Sequence, residues 1–166
     1  ELQQLARGNC EEAQPCPVKK ILKPVETIIK GQARAEGIEL VIDVASDLPL
    51  IHKNGQDLQV VLLSLIQNAR SRVLQKYPSG KQEQKKIKIS ALLDQKTPQP
   101  QILIFISDQG DARLSPPSNQ NNLSLTAEPW LELEQCRLYL QHLGGDLIIE
   151  NTPDQTNICT CIVPCS

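Results

Sequence analysis

Aromatic side chains are almost missing: one Trp, two Tyr and one Phe stand among 166 residues. Their scarcity removes the stacking platforms on which readers of RNA and single-stranded DNA hold bases, and it leaves Leu, Ile and Val to build the core. An excess of positive charge is missing too. Seventeen Lys and Arg against 19 Asp and Glu give a formal net charge of −2, with the signs interspersed, so no basic footprint for nucleic acid exists. No apolar run approaches the roughly 20 residues of a membrane span, and the amino end carries no basic-then-apolar leader. A soluble, cytoplasmic module without direct membrane contact is expected. The six cysteines (Cys10, Cys16, Cys136, Cys159, Cys161 and Cys165) contain no C-x-x-C pair, which excludes a zinc knuckle, and they read mostly as thiols used as small buried hydrophobes.

What is present is a succession of amphipathic elements fitting one domain. Residues 1–17 read as the end of an upstream helix followed by a proline-containing linker, and 18–166 as the domain itself. Val18, Ile21, Leu22, Val25, Ile28 and Ile29 follow a helical period that Pro24 interrupts, so the helix is placed from about Pro24 to Glu36, with Gly37 as terminator. Residues 38–44 read as a strand. Leu58, Val61, Leu62, Leu65, Ile66, Ala69 and Val73 form a wide apolar stripe on a second helix that begins near Gly55. Residues 87–93 and 102–106 form a predicted antiparallel hairpin, and 108–129, poor in apolar residues, a long surface loop. Leu131, Leu133, Cys136, Leu140 and Leu143 then mark a third helix ended by Gly144-Gly145, before strands at 146–150 and 157–163. Each helix has a single stripe to bury. The expected architecture is therefore α+β, a two-layer sandwich of three helices on a mixed, mainly antiparallel sheet of about five strands.

Several segments in this order resemble the ATP-binding catalytic domain of sensor histidine kinases, whose Bergerat-type fold is shared with gyrase, the Hsp90 chaperones and the MutL repair proteins. Leu58-Gln-Val-Val-Leu-Leu-Ser-Leu-Ile-Gln-Asn68-Ala is similar to the family's N box. Ile104-Phe-Ile-Ser-Asp108-Gln-Gly110 is similar to its G1 box, and Leu140-Gln-His-Leu-Gly-Gly-Asp-Leu-Ile-Ile-Glu-Asn to its closing helix-to-strand turn. The resemblance implies ATP or ADP as ligand and magnesium as cofactor. Asn68 would hold the metal, Asp108 would accept the adenine amino group, which guanine lacks at that edge, and Gly110 would let the loop approach the base. Ala112 stands at the second G1 glycine. Of the basic residues Arg70, Arg72 and Lys76 after Asn68, Arg72 is the candidate to steady a phosphate, against the alternative of a solvated helix face.

The departures from the family pattern cluster around the phosphates. The glycines of the G2 box fall at Trp130 and Glu132, where a carboxylate repels phosphate and an indole blocks close backbone approach. Ser64 stands where the gyrase-like ATPases carry a catalytic glutamate, so water activation is not expected, and no catalytic residue is assigned. Neither His52 nor His142 has the context of a phosphoacceptor. The resemblance implies a domain that presents the γ-phosphate of ATP to a histidine on a separate helical dimerisation domain, for transfer to a response regulator. The lost glycines raise the rival reading, a pseudokinase that keeps the sandwich as a protein-interaction module.

Overall fold

The computed structural model describes residues 14–78, 85–110 and 127–165, with backbone alone at 127–130. The chain runs α1 (Val18–Glu36), β1 (Glu39–Val44), α2 (Gly55–Lys76), β2 (Lys86–Asp94), β3 (Gln101–Asp108), α3 (Ala127–His142), β4 (Asp146–Asn151) and β5 (Asn157–Pro164). The strands form one sheet in the order β1-β2-β3-β5-β4. Its β2–β3, β3–β5 and β4–β5 pairs are antiparallel, whereas β1 and β2 are parallel, with α2 as the connection that a parallel pair requires. The helices cover one face, giving the two-layer α+β sandwich expected from the stripes.

Alternation fixes which side chains enter the core. Ile102, Ile104 and Ile106 of β3 and Cys159, Cys161 and Val163 of β5 point to the helices and are buried, as are Ile87, Ile89 and Ala91 of β2. Against them lies α2, whose Leu58, Leu62, Leu65, Ile66, Ala69 and Val73 are fully enclosed. Asn54 caps this helix, its Oδ1 accepting from Gln56 N at 3.0 Å.

The first helix differs from the expected one. It begins at Val18 and carries Pro24 inside it. The buried stripe Val18, Ile21, Leu22, Val25, Ile29 and Ala33 is continuous across the proline, so packing against the core outweighs the roughly 3 kcal/mol that an interior proline costs. Upstream, Cys16 is 2% exposed and pairs with Ile51 through two 2.9 Å backbone hydrogen bonds; the segment read as linker therefore joins the fold before Pro17. Cys16 is disulfide-bonded rather than a thiol, while Cys136, Cys159, Cys161 and Cys165 are free. The third helix starts at Ala127, earlier than expected, with Pro129 in its first turn, where a missing N–H leaves no intrahelical bond unmade. Much of the 108–129 segment read as a surface loop lies outside the described residues.

Candidate functional site

Three elements converge on the end of β3. Asp108 closes that strand, Asn157 opens β5 as its register partner, and Arg72 lies on α2 in line with Leu65 and Ala69. All three are buried, and the Asp108 carboxylate is 0% exposed. Arg72 Nη2 donates to Asp108 Oδ2 at 2.6 Å and Arg72 Nε to Oδ1 at 3.4 Å. Oδ1 also accepts from Gly110 N at 2.9 Å and from Asn157 Nδ2 at 3.0 Å. The same Asn157 amide donates to Gly110 O at 3.2 Å and holds the turn after β3. Among the described residues Arg72 Nη1 is buried without a hydrogen-bond partner.

Gly110 packs against protein. A Cβ on it would lie 2.5–2.6 Å from the carbonyl carbon and Cβ of Arg72 and from the amide nitrogen of Val73. The missing side chain thus lets the post-β3 turn rest on the α2 backbone.

The basic residues that follow Asn68 serve three ends. Arg70 reaches the end of α1, with Nε donating to Glu36 Oε2 at 2.6 Å and Nη2 paired with Oε1. This bidentate contact raises the Arg70 pKa above its ordinary value. Arg72 turns inward to Asp108, so its guanidinium does not line a solvated face. Lys76 sits in the last turn of α2 with its ammonium 5.5 Å from the centre of the Tyr77 ring.

Asn68 is 6% exposed on the same helix, one turn before Arg72. Its Nδ2 donates to Glu132 Oε2 at 3.4 Å, so the carboxylate expected to repel phosphate lies beside the amide expected to hold magnesium. No group of three or more metal-ligating side chains occurs among the described residues. Ala112 lies outside them, and nothing of the Trp130 side chain is described. His52 and His142 are both exposed.

Beneath the site, Cys136 of α3 packs beside Ser64, and Cys159 beside Arg72. Burial pushes both thiols up to about 11, and the Arg72 guanidinium pulls Cys159 back only in part. Cys161 is raised by burial as well. These thiols stay protonated at neutral pH and act as core side chains.

Of the residues singled out in the sequence, the structure brings Asp108, Gly110 and Arg72 together and places Asn68 one turn away on α2; Asn157 and the inward turn of Arg72 were missed. The signal for both was present. Extending the inward alternation of β3 from Ile106 reaches Asp108, and extending that of β5 back from Cys159 reaches Asn157. The stripe containing Leu65 and Ala69 continues to Arg72.

As these residues stand, they do not fit adenine. An ionised carboxylate offers about four lone-pair positions, two on each oxygen; on Asp108 three donors fall on Oδ1 and one, from Arg72, on Oδ2, and the carboxylate is enclosed. Reading an amino group would require the side chains packed around Oδ2 to move.

No family model matches the sequence, and no curated protein does. Solved structures do match in fold. The Acinetobacter baumannii histidine kinase AdeS aligns with 99% of this chain and 74% of its own, at TM-score 0.64 and 15% identity. The nucleotide-free catalytic domain of histidine kinase ThkA aligns over 93% of this chain and 98% of its own, at TM-score 0.69 and 18% identity. Full-length ShkA in complex with AMPPNP aligns over 98% of this chain, which spans 33% of that one, at TM-score 0.67 and 17% identity.

Proposed function

We propose that this chain, which has the fold of histidine-kinase catalytic domains, is a signalling domain in which nucleotide recognition is lost or weakened: a pseudokinase that works by contacting other proteins. The observation that carries the reading is the enclosure of the Asp108 carboxylate, which is 0% exposed and paired with a buried arginine from α2. Releasing the carboxylate for adenine would strip a buried charge of its partner, which costs several kcal/mol before any ligand contact forms. Glu132 beside Asn68 adds a negative charge where phosphates would sit, and Gly110 spends its open space on α2. The partners that suit such a domain are a helical dimerisation domain and a response regulator in the cytoplasm.

Retention of Asn68, Asp108 and Gly110 around one end of β3 favours a second reading, the ATP-binding catalytic domain of a two-component kinase. There Arg72 would turn out of the site, Asn68 would hold magnesium, and the bound nucleotide would supply the γ-phosphate for a histidine on the dimerisation domain.

Calorimetric titration with ATP and with ADP, with and without magnesium, separates the two. The pseudokinase reading expects no heat at millimolar nucleotide and a thermal midpoint unmoved by ligand. Magnesium-dependent binding that Asp108→Asn removes would overturn it and establish the kinase reading. Arg72→Ala, which frees the carboxylate, should admit adenine nucleotide where the wild-type chain does not.

A further inference from the structure

A groove of about 440 Å³ that does not include Asp108 lies between α1 and β1. Its floor is apolar, made by Leu22 of α1 and by Ile42 and Val44 of β1, and its rim carries Lys19, Lys23 and Lys30. Lys30 is paired with Glu26, whereas Lys19 and Lys23 are exposed and meet no carboxylate among the described residues. The rim is therefore a positive border around an apolar trough.

Among the described residues, no strand pairs with the outer edge of the backbone beside it. β1 is the end strand of the sheet, and Glu39 N and Ala45 N point inward, donating to Lys85 O at 2.8 Å and Ala91 O at 3.2 Å. Because main-chain groups of a strand alternate in direction, Leu40, Ile42 and Val44 turn their N–H and C=O groups to the open edge. The side chains of these three residues face the helix layer and are only half-buried. The strand that floors the groove is thus the strand that offers free hydrogen bonds along it. Glu39 and Asp43 lie on the opposite face, away from the groove.

We propose that this edge binds an extended, acidic segment of a partner protein as a sixth strand. Its main chain pairs with Leu40, Ile42 and Val44, its apolar side chains cover Ile42 and Val44, and its carboxylates meet Lys19 and Lys23. Main-chain pairing supplies affinity in this mode and the alternate side chains supply selectivity. The two free lysines make the selectivity acidic.

The test uses the whole chain and the fluorescent peptide Thr-Val-Thr-Leu-Thr-Glu-Thr-Glu-Thr, in which every second side chain is apolar or acidic and the two acidic ones are about as far apart as Lys19 and Lys23, one helical turn. Fluorescence anisotropy should show binding that weakens about tenfold in the variant Lys19→Glu with Lys23→Glu, and that falls with added salt. Both substitutions are on exposed side chains, and an unchanged thermal midpoint confirms that the variant folds. A peptide with Lys in place of Glu should not bind, and N-methylation of the alternate residues that face β1 should abolish binding. In amide exchange, Leu40, Ile42 and Val44 should become protected when the Glu peptide is added. The proposal is overturned by equal binding of the Glu and Lys peptides, by indifference to the double substitution, by tight binding after N-methylation of the alternate residues that face β1, or by no binding at millimolar peptide.

Discussion

Arg72 and Asp108 bring opposite charges into a part of the protein that water hardly reaches, at 3% and 2% exposure. Such a pair is defended less by its attraction than by the cost of breaking it. Removing one partner strands the other charge and is expected to cost about 3–5 kcal/mol, while removing both charges together is far milder. Arg72→Met and Asp108→Asn should each lower stability by that order in urea unfolding. The double variant should recover at least about 2 kcal/mol relative to their sum, because the amide oxygen that replaces the carboxylate can still accept from Gly110 and Asn157. The buried thiols give a second residue-scale expectation. Cys136 and Cys159 titrate near 11 in the fold, against about 9 for an ordinary thiol. Above pH 9 the unfolded chain then holds fewer protons than the folded one. Their contribution is fully present below pH 9 and is lost as pH rises from about 9 through 11, at up to about 1.4 kcal/mol per pH unit for each thiol. Urea unfolding across that range checks the sign, and native Cys136 and Cys159 should resist alkylation at neutral pH.

At the scale of elements, the chain tolerates one local fault in α1 and depends on one local provision after α3. Pro24 cannot donate to Lys20 O from inside the helix, and nearby Gln59 of α2 reaches across to donate from Nε2 to Ile21 O at 3.2 Å. Pro24→Ala restores the missing bond, while the more flexible alanine raises the entropy of the unfolded chain. The net expectation is a stabilisation of roughly 1–2 kcal/mol, read as a higher thermal midpoint. At the other end of the layer, Gly144 takes φ +83°, and a Cβ on Gly145 would fall 1.8 Å from Ile162 O. Gly145→Ala must therefore push α3 or β4 away from β5, and a loss of more than about 3 kcal/mol is expected in the same assay. The start of α2 near Gly55 was legible because a clean stripe follows it. The start of α1 was not, because a local rule about proline competes with a hydrophobic stripe whose burial appears only once the sheet is in place.

For the whole molecule, the question is where the folded unit starts. Cys16 is enclosed and exchanges two hydrogen bonds with Ile51, tying the segment before α1 to the segment before α2. A chain beginning at Val18 should be less stable than one beginning at Gln14 by about 2–3 kcal/mol under reducing conditions, the sum of two backbone bonds and one buried side chain. Equilibrium urea unfolding of the two chains measures the difference directly. At this scale the two candidate surfaces also separate. The Asp108 end of β3 is paired internally with α2 and β5, whereas the outer edge of β1 meets no strand among the described residues.

The sequence by itself determined the layers. Stripes of period 3.6 and alternations of period 2 require one-sided burial, and with these loop lengths they leave little but three helices on one face of a five-stranded sheet. It also singled out Asp108 and Gly110 at the end of β3, since both come with that strand and its turn. Only the tertiary structure decided what those residues do. The partner of Asp108 is 36 residues away on α2, and Asn157 reaches it from 49 residues away on β5. A carboxylate is free or satisfied according to which donors surround it, and those donors are assembled only when α2, β3 and β5 meet.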